Sequence, residues 1–160
     1  VHEFHTRFDR YRPLAANHVL RGWKEMPGQH NEAIYNLGSH IIDQAITLFG
    51  VPDRVWCRSY DERGLGLDEA FEMQLIYPPQ PGGAAPLAVY LGASILASTP
   101  EHTRYLVKGA KGSFHKLGLD PQEPLLRAGG RVSDKAYGVE DEDAWGSISL
   151  CEDDKWTTTK

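Results

Sequence analysis

Residues 31–50 read NEAIYNLGSHIIDQAITLFG. Set at about 100° per residue, as helical periodicity requires, Ile34, Leu37, Ile41, Ile42, Ala45, Leu48 and Phe49 share one broad apolar arc. Asn36, His40, Asp43 and Thr47 follow one another at steps of four, three and four, so they stack in a narrow polar stripe. Gly38 falls inside the apolar arc, where a missing side chain lets the helix approach whatever it packs on. Gly50 suits a left-handed cap just past the end, and Pro52 stops the helix from resuming. The pattern predicts a buried helix with one polar line along it, as in a helix that floors a pocket.

Outward from this helix the chain reads mainly as strands. Residues 1–12 alternate, with Phe4, Thr6 and Phe8 on one face and His5, Arg7, Asp9 and Tyr11 on the other. Residues 14–30 break at Gly22, Pro27 and Gly28 and read as a loop carrying Trp23 and Lys24. Further strands are expected at 54–60, 70–77, 87–98, 102–108, 113–117 and 147–151. PPQPGGAAP links the third and fourth as a mobile hairpin loop, and GAKG makes a tight hairpin between the fifth and sixth. Asp120, Pro121 and Glu123 read as a helix start, with Asp120 as N-cap and Glu123 placed to close a capping box. Residues 131–145 are polar and acidic, an excursion over the surface. The expected class is α+β: an open, mostly antiparallel but mixed sheet with helices on one face. No element is left to cover the other face, so a second copy of the chain is its expected partner, making a homodimer.

A length of 160 residues is one domain's worth. The formal net charge of −5 argues against nucleic acid or an anionic membrane as partner. No apolar run approaches the ~20 residues of a spanning helix. Cys57 and Cys151 lie far apart without a CxxC or zinc spacing and read as free thiols of a reducing, cytoplasmic compartment. His40 and Asp43 are two residues at i, i+3 with no third ligand implied, so no metal site is expected. GAKGS (109–113) lacks the spacing of a phosphate loop, and GLGLDE (64–69) lacks the third glycine of a dinucleotide fingerprint.

IYNLGSHIIDQAITLFG resembles the signature helix in the C-terminal domain of the glucose–fructose oxidoreductase/inositol dehydrogenase family of NAD(P)-dependent enzymes. Family members typically read Gly-Gly, an aliphatic pair, then Asp-(Leu/Ile)-Gly-x-His-x-x-Asp. FDRYRP (8–13) and YLVKGAKGSFHKLGLDPQE (105–123) are similar to other stretches of the same domain. Two departures stand out: Asn36 replaces the family's acidic residue, and Asn31-Glu32 replaces the glycine pair.

The resemblance implies a single substrate-binding and oligomerisation domain over residues 1–160, cut from a longer protein. The dinucleotide-binding domain, with its catalytic lysine, would lie outside it. NAD or NADP would then bind the full-length protein, and none would bind this fragment. The implied reaction is hydride transfer between nicotinamide and a small polyol or sugar-like alcohol.

His40 is the first candidate, since a histidine's ordinary pKa of ~6.5 allows proton transfer at neutral pH. The residues alone serve equally for a hydrogen-bonded histidine in a polar seam; the resemblance favours the site. In the family, the matching His and the acidic residue four before it bind the substrate hydroxyl and take its proton. Asn36 cannot act as a base, so Asn36→Asp is expected to raise activity or move its pH profile. Asp43 could orient His40 or contact substrate, although a structural carboxylate is its plainer reading. Arg10, Arg12, Trp23 and Lys24 are expected to rim the pocket, with solvated strand-end charges as the alternative. A catalytically silent relative that binds a metabolite or protein is the alternative function, and a cofactor-independent isomerase or lyase using His40 is the third.

Overall fold

The computed structural model describes residues 1–14, 22–28, 30–79 and 85–160. Strand β1 (Glu3–Arg7) comes first, followed by a 3-10 turn at Trp23–Glu25. A π turn (Ile34–Gly38) then runs directly into α1 (Ser39–Phe49). Strands β2 (Arg54–Tyr60), β3 (Ala70–Pro79), β4 (Pro86–Ser94), β5 (Thr103–Lys108) and β6 (Gly112–Leu117) precede the short α2 (Gln122–Arg127). A 3-10 turn at Glu142–Ala144 leads to the hairpin of β7 (Ser147–Glu152) and β8 (Lys155–Thr159). All eight strands form one sheet in the order β2-β3-β4-β1-β5-β6-β7-β8. Only the β1–β4 pair is parallel; the others are antiparallel. The class is the α+β, open mixed sheet that the sequence predicts.

Register sorts the faces. Phe4 pairs with Val89 and Thr6 with Leu91, and Val89 and Leu91 continue to Leu75 and Met73 on β3. This is the face that α1 covers. Ile41 and Ala45 of α1 and Phe71, Val89 and Ala93 of the sheet are wholly buried in one core. Each large side chain so buried stabilises the fold by ~1.5–3 kcal/mol. Glu3, His5, Tyr90, Gln74 and Trp56 lie on the other face by the same register, with His5 stacked on Tyr90 at 4.5 Å. Among the described residues no helix covers them, and none is long and apolar enough to cross a membrane.

Several expectations need correction. The helical run begins at 34 rather than 31, because Asn31 has another use: its Nδ2 donates to the carbonyls of Trp23 (2.8 Å) and Met26 (3.1 Å). Leu48, placed on the apolar arc, is 60% exposed; at this turn it is Phe49 that meets the sheet, packing on Phe4 and Tyr77. The first strand stops at Arg7, although Phe8, Arg10 and Arg12 keep donating N–H groups to Gly92, Ser94 and Ile95. The fourth ends at Ser94 because the Glu62 carboxylate accepts from Ser94 Oγ and from the N–H groups of Ile95 and Leu96. The capping box does not form. Asp120 does accept from the Gln122 N–H at 2.9 Å, but Glu123 turns to Arg127 instead. Strand β8 was not anticipated; Asp153 and Asp154 make its turn at φ 48° and 60°, a backbone that aspartate tolerates. Of the PPQPGGAAP loop, residues 80–84 lie outside the described residues.

Gly38 sets how closely the helical run approaches the sheet. A Cβ built there would meet Phe71 Cζ at 2.9 Å and Cε1 at 3.0 Å, and Phe71 is fully buried. Helix propensity alone would make Gly38→Ala stabilising by ~0.5–1 kcal/mol. Overpacking a fixed ring costs ~1–3 kcal/mol. Packing should therefore win, and urea unfolding of Gly38→Ala should show a net loss of roughly 1–2 kcal/mol. Unchanged or higher stability would mean that the close approach carries no constraint.

Candidate functional site

A cleft of about 200 Å³ opens where the chain leaving β1 passes the start of the helical run. Asn36, Leu37 and His40 form its floor, and Phe8 and Arg10 one wall. Glu25, Arg63 and Glu69 form the opposite wall, and Glu123 and Arg127 of α2 stand at the rim. This volume lies below the ~300–1,000 Å³ typical of drug-sized sites, so the enclosed part suits a small metabolite.

The floor owes its geometry to the π turn. Asn36 donates through Nδ2 to the Asn31 carbonyl at 2.6 Å, so it reaches back along the chain rather than toward His40. Asn31 in turn holds the Trp23–Met26 segment, so two asparagines tie the loop to the helix. His40 is exposed at the mouth of the cleft, its ring 5.7 Å from that of Phe8. It makes no hydrogen bond to any described residue.

The wall opposite is ionic. Asp61 accepts the N–H groups of Arg63 (3.1 Å), Gly64 (2.7 Å) and Gly66 (2.7 Å). Gly64 and Gly66 both sit at φ 73°, which only glycine adopts without strain. This curl turns Arg63 inward, where its side chain is 3% exposed. Nη2 pairs with Glu69, Nε bonds both Glu69 oxygens at 2.9 Å, and Nη1 reaches Glu25 at 2.9 Å and the Arg12 carbonyl at 3.0 Å. The hydrogen bonds to Glu69, and then to Glu25, hold the guanidinium pKa above its ordinary value despite burial. GLGLDE thus belongs to a structural loop.

The rim is cationic. Arg10 lies over the Phe8 ring at 4.5 Å, and Arg104, buried and not among the residues lining the cleft, is 5.0 Å from the same ring. Glu123 is bonded by Arg127 at 2.7 and 2.9 Å, which holds its pKa below the usual carboxylate range, with Arg10 and His40 acting in the same direction.

Of the residues named from sequence, Asn36, His40, Arg10 and Arg12 line this cleft. Asp43 is exposed and is not among its walls, since three steps along α1 carry it past the mouth. The Trp23 ring is largely exposed and is likewise not a wall; its carbonyl, held by Asn31, is the part tied to the site. The Lys24 side chain lies outside the described residues. Sequence reasoning missed Glu25, Arg63, Glu69, Glu123 and Arg127. The i, i+4 spacing of Glu123 and Arg127 was a usable signal. Nothing local marked Arg63 as the partner of Glu25. Among the described residues, no three His, Cys, Asp or Glu side chains gather as metal ligands.

The family model described as the oxidoreductase family, C-terminal alpha/beta domain, matches residues 1–158. The chain belongs to that family. This C-terminal oxidoreductase domain is 38% identical over 143 residues to an uncharacterised oxidoreductase of Schizosaccharomyces pombe, covering 88% of this chain and 37% of that protein. It is 32% identical over 161 residues to the scyllo-inositol 2-dehydrogenase (NADP(+)) of Bacillus subtilis, covering 99% of this chain and 42% of the enzyme. The solved structure of an oxidoreductase from Bacillus cereus superposes with a TM-score of 0.79 at 25% identity, over 99% of this chain and 49% of that one. Levoglucosan dehydrogenase in complex with NADH and L-sorbose, at TM-score 0.65 and 12% identity, shares the fold. The domain therefore spans well under half the length of the curated relatives it matches.

The geometry adds an expectation for the stability of Asn36→Asp. Only a donor can face the Asn31 carbonyl, so a carboxylate there would set like partial charges together and leave the carbonyl unpaired. Such a carboxyl is stabilised in its protonated, donating form, so its pKa is raised. The penalty is absent below the ordinary aspartate pKa and complete above the raised one. Asn36→Asp should thus melt below the parent protein at pH 7, and the gap should narrow as pH falls. A gap that is absent, or that does not change with pH, would show that the amide is dispensable.

Proposed function

We propose that this chain is the substrate-binding and dimerisation domain of an NAD(P)-dependent oxidoreductase acting on a polyol or sugar-like alcohol. The observation that carries this reading is His40: exposed at the cleft mouth, without a hydrogen-bond partner among the described residues, and set beside Asn36. No glycine-rich loop opens a helix among those residues, so the nucleotide phosphates would be held by a dinucleotide-binding domain elsewhere in the full-length protein. Nicotinamide, when bound, supplies the hydride acceptor. A ring nitrogen of His40 accepts the proton of the substrate hydroxyl as the carbon–hydrogen bond gives up its hydride and the carbonyl forms. Asn36 Oδ1, whose amide nitrogen is already engaged, accepts a second hydroxyl and orients the ring or chain that carries it.

In the full-length protein His40→Asn should lower kcat by ~10²–10⁴-fold, the usual contribution of a positioned acid–base group, while the melting temperature stays near that of the parent. A variant of unchanged rate would exclude His40 as the proton acceptor, whereas a parent protein that oxidises no alcohol would point instead to a catalytically silent relative. That reading draws on Asn36, which replaces a titratable group and serves the loop.

The open sheet face fits pairing with a second copy of the chain, since Trp56 and Tyr90 lie there and Trp156 shares the face by register with Cys151. Such a homodimer would bury more than ~1,000 Å². Sedimentation of the full-length protein as a monomer at tens of micromolar would contradict it. Both cysteines are unpaired, which fits a cytoplasmic location.

A further inference from the structure

The charge around the cleft is uneven. At the end formed by Phe8 and the rim, Arg10, Arg12 and Arg127 line the cleft with Glu123 as the carboxylate among them, and Arg104 is buried close to Arg10. Two of the four are engaged. Arg104 donates to the Arg7 carbonyl at 2.8 Å and to Gln44 Oε1 at 3.2 Å, and Arg127 holds Glu123 at 2.7 and 2.9 Å. Arg10 is not similarly satisfied. Its ion pair is with the same Glu123, at 3.8 Å, the outer limit of such a contact. Burial holds its guanidinium below its ordinary pKa, and Arg12, Arg104 and Arg127 push the same way against Glu123. A half-buried cation kept charged among three others is stabilised by an anion brought into reach. Its planar fork also matches a carboxylate or phosphate in two parallel hydrogen bonds. At the other end Arg63 is already held by two carboxylates, Glu25 and Glu69, so that wall offers an anion no comparable partner. The two ends would orient a substrate that is charged at one end only.

We propose that Arg10, with Arg127 beside it, receives an anionic substituent of the substrate, so that the substrate is a sugar acid or a phosphorylated polyol rather than a neutral one. The role of substrate rests on the dehydrogenase reading above; the anion site rests on its own geometry.

The test is calorimetric binding to the full-length protein of D-glucuronate and D-glucose 6-phosphate, each against D-glucose, with inorganic phosphate as a fourth probe. At least one anionic sugar should bind roughly tenfold or more tightly than D-glucose, as one charge-assisted hydrogen-bonded contact provides. The stronger of the two arms identifies carboxylate or phosphate. Phosphate alone binding would place the site but assign the charge to a separate ligand, overturning the substrate claim. Arg10→Gln should shrink the preference to near unity. Glu123→Gln, at an exposed position with little bearing on folding, should enlarge it by removing the competing carboxylate. Anionic sugars that bind no better than D-glucose, or a preference that neither variant moves, would overturn the proposal. Nicotinamide reduction with neutral sugars alone would remove the anion site and leave the dehydrogenase reading. An anion preference that follows both variants, without nicotinamide reduction by any sugar, would do the reverse.

Discussion

The contact between Gly38 and the Phe71 ring decides where everything else in this domain can stand. A helix crossing a sheet normally keeps the distance that its side chains impose. Here one residue without a side chain lies over a wholly buried ring, and the helical run settles onto β3 at that point. The backbone on either side is then held against the end of β1, with Asn36 and Leu37 on one side and His40 on the other. A cleft results because the π turn bulges just before the contact. Such bulges recur at functional sites, since they re-aim side chains without ending the helix.

The opposite wall is held by polar groups that could not be buried singly. Removing water from Arg63 and Glu69 costs several kcal/mol for each ion and is recovered only through full pairing. The curl around Asp61 and the bonds to Glu25, Glu69 and the Arg12 carbonyl supply that pairing. The network joins three segments far apart in sequence: the chain after β1, the Trp23–Glu25 turn and the loop before β3. The Asn31–Asn36 pair adds the helix to the same frame. The cleft is thereby braced on the side away from α2, and its charged rim comes from Glu123 and Arg127 of that short, exposed helix.

What could be read from the sequence was what repeats at short range. The apolar arc of residues 34–45, the alternation of strands β1 to β7 and the capping role of Gly50 follow from periods of 3.6 and 2. The arc and these strands are present, but β2 is exposed along nearly its whole length instead of alternating, and Gly50 ends the helix at φ 79° and ψ −161°, a glycine backbone outside the left-handed helical region. The polar stripe was legible as the floor of a pocket, but how far the pocket runs along it was not. Ideal geometry places Asn36, His40, Asp43 and Thr47 in one line, yet only the first two reach the cleft, because the line continues along α1 past its mouth. The ion pairs of Arg63 span up to 38 residues and have no periodic signature, so no local argument could find them. Strand β8 was missed for a different reason: Asp-Asp reads as a solvated pair until its backbone is seen turning. The resemblance of residues 34–50 to a family helix supplied what periodicity cannot, namely which face of that helix matters.

In the function proposed above, this cleft is where an alcohol meets both His40 and a nicotinamide held by another domain. That role is tested most directly by a crystal structure of the full-length protein with its nicotinamide nucleotide and a bound polyol or sugar. The nicotinamide ring should lie over the mouth of the cleft, with the substrate carbon ~3–3.5 Å from the reacting ring carbon and a ring nitrogen of His40 within hydrogen-bond reach of the substrate hydroxyl. A nicotinamide bound away from the cleft, or a His40 ring turned from the substrate with both nitrogens taken by protein groups, would contradict it.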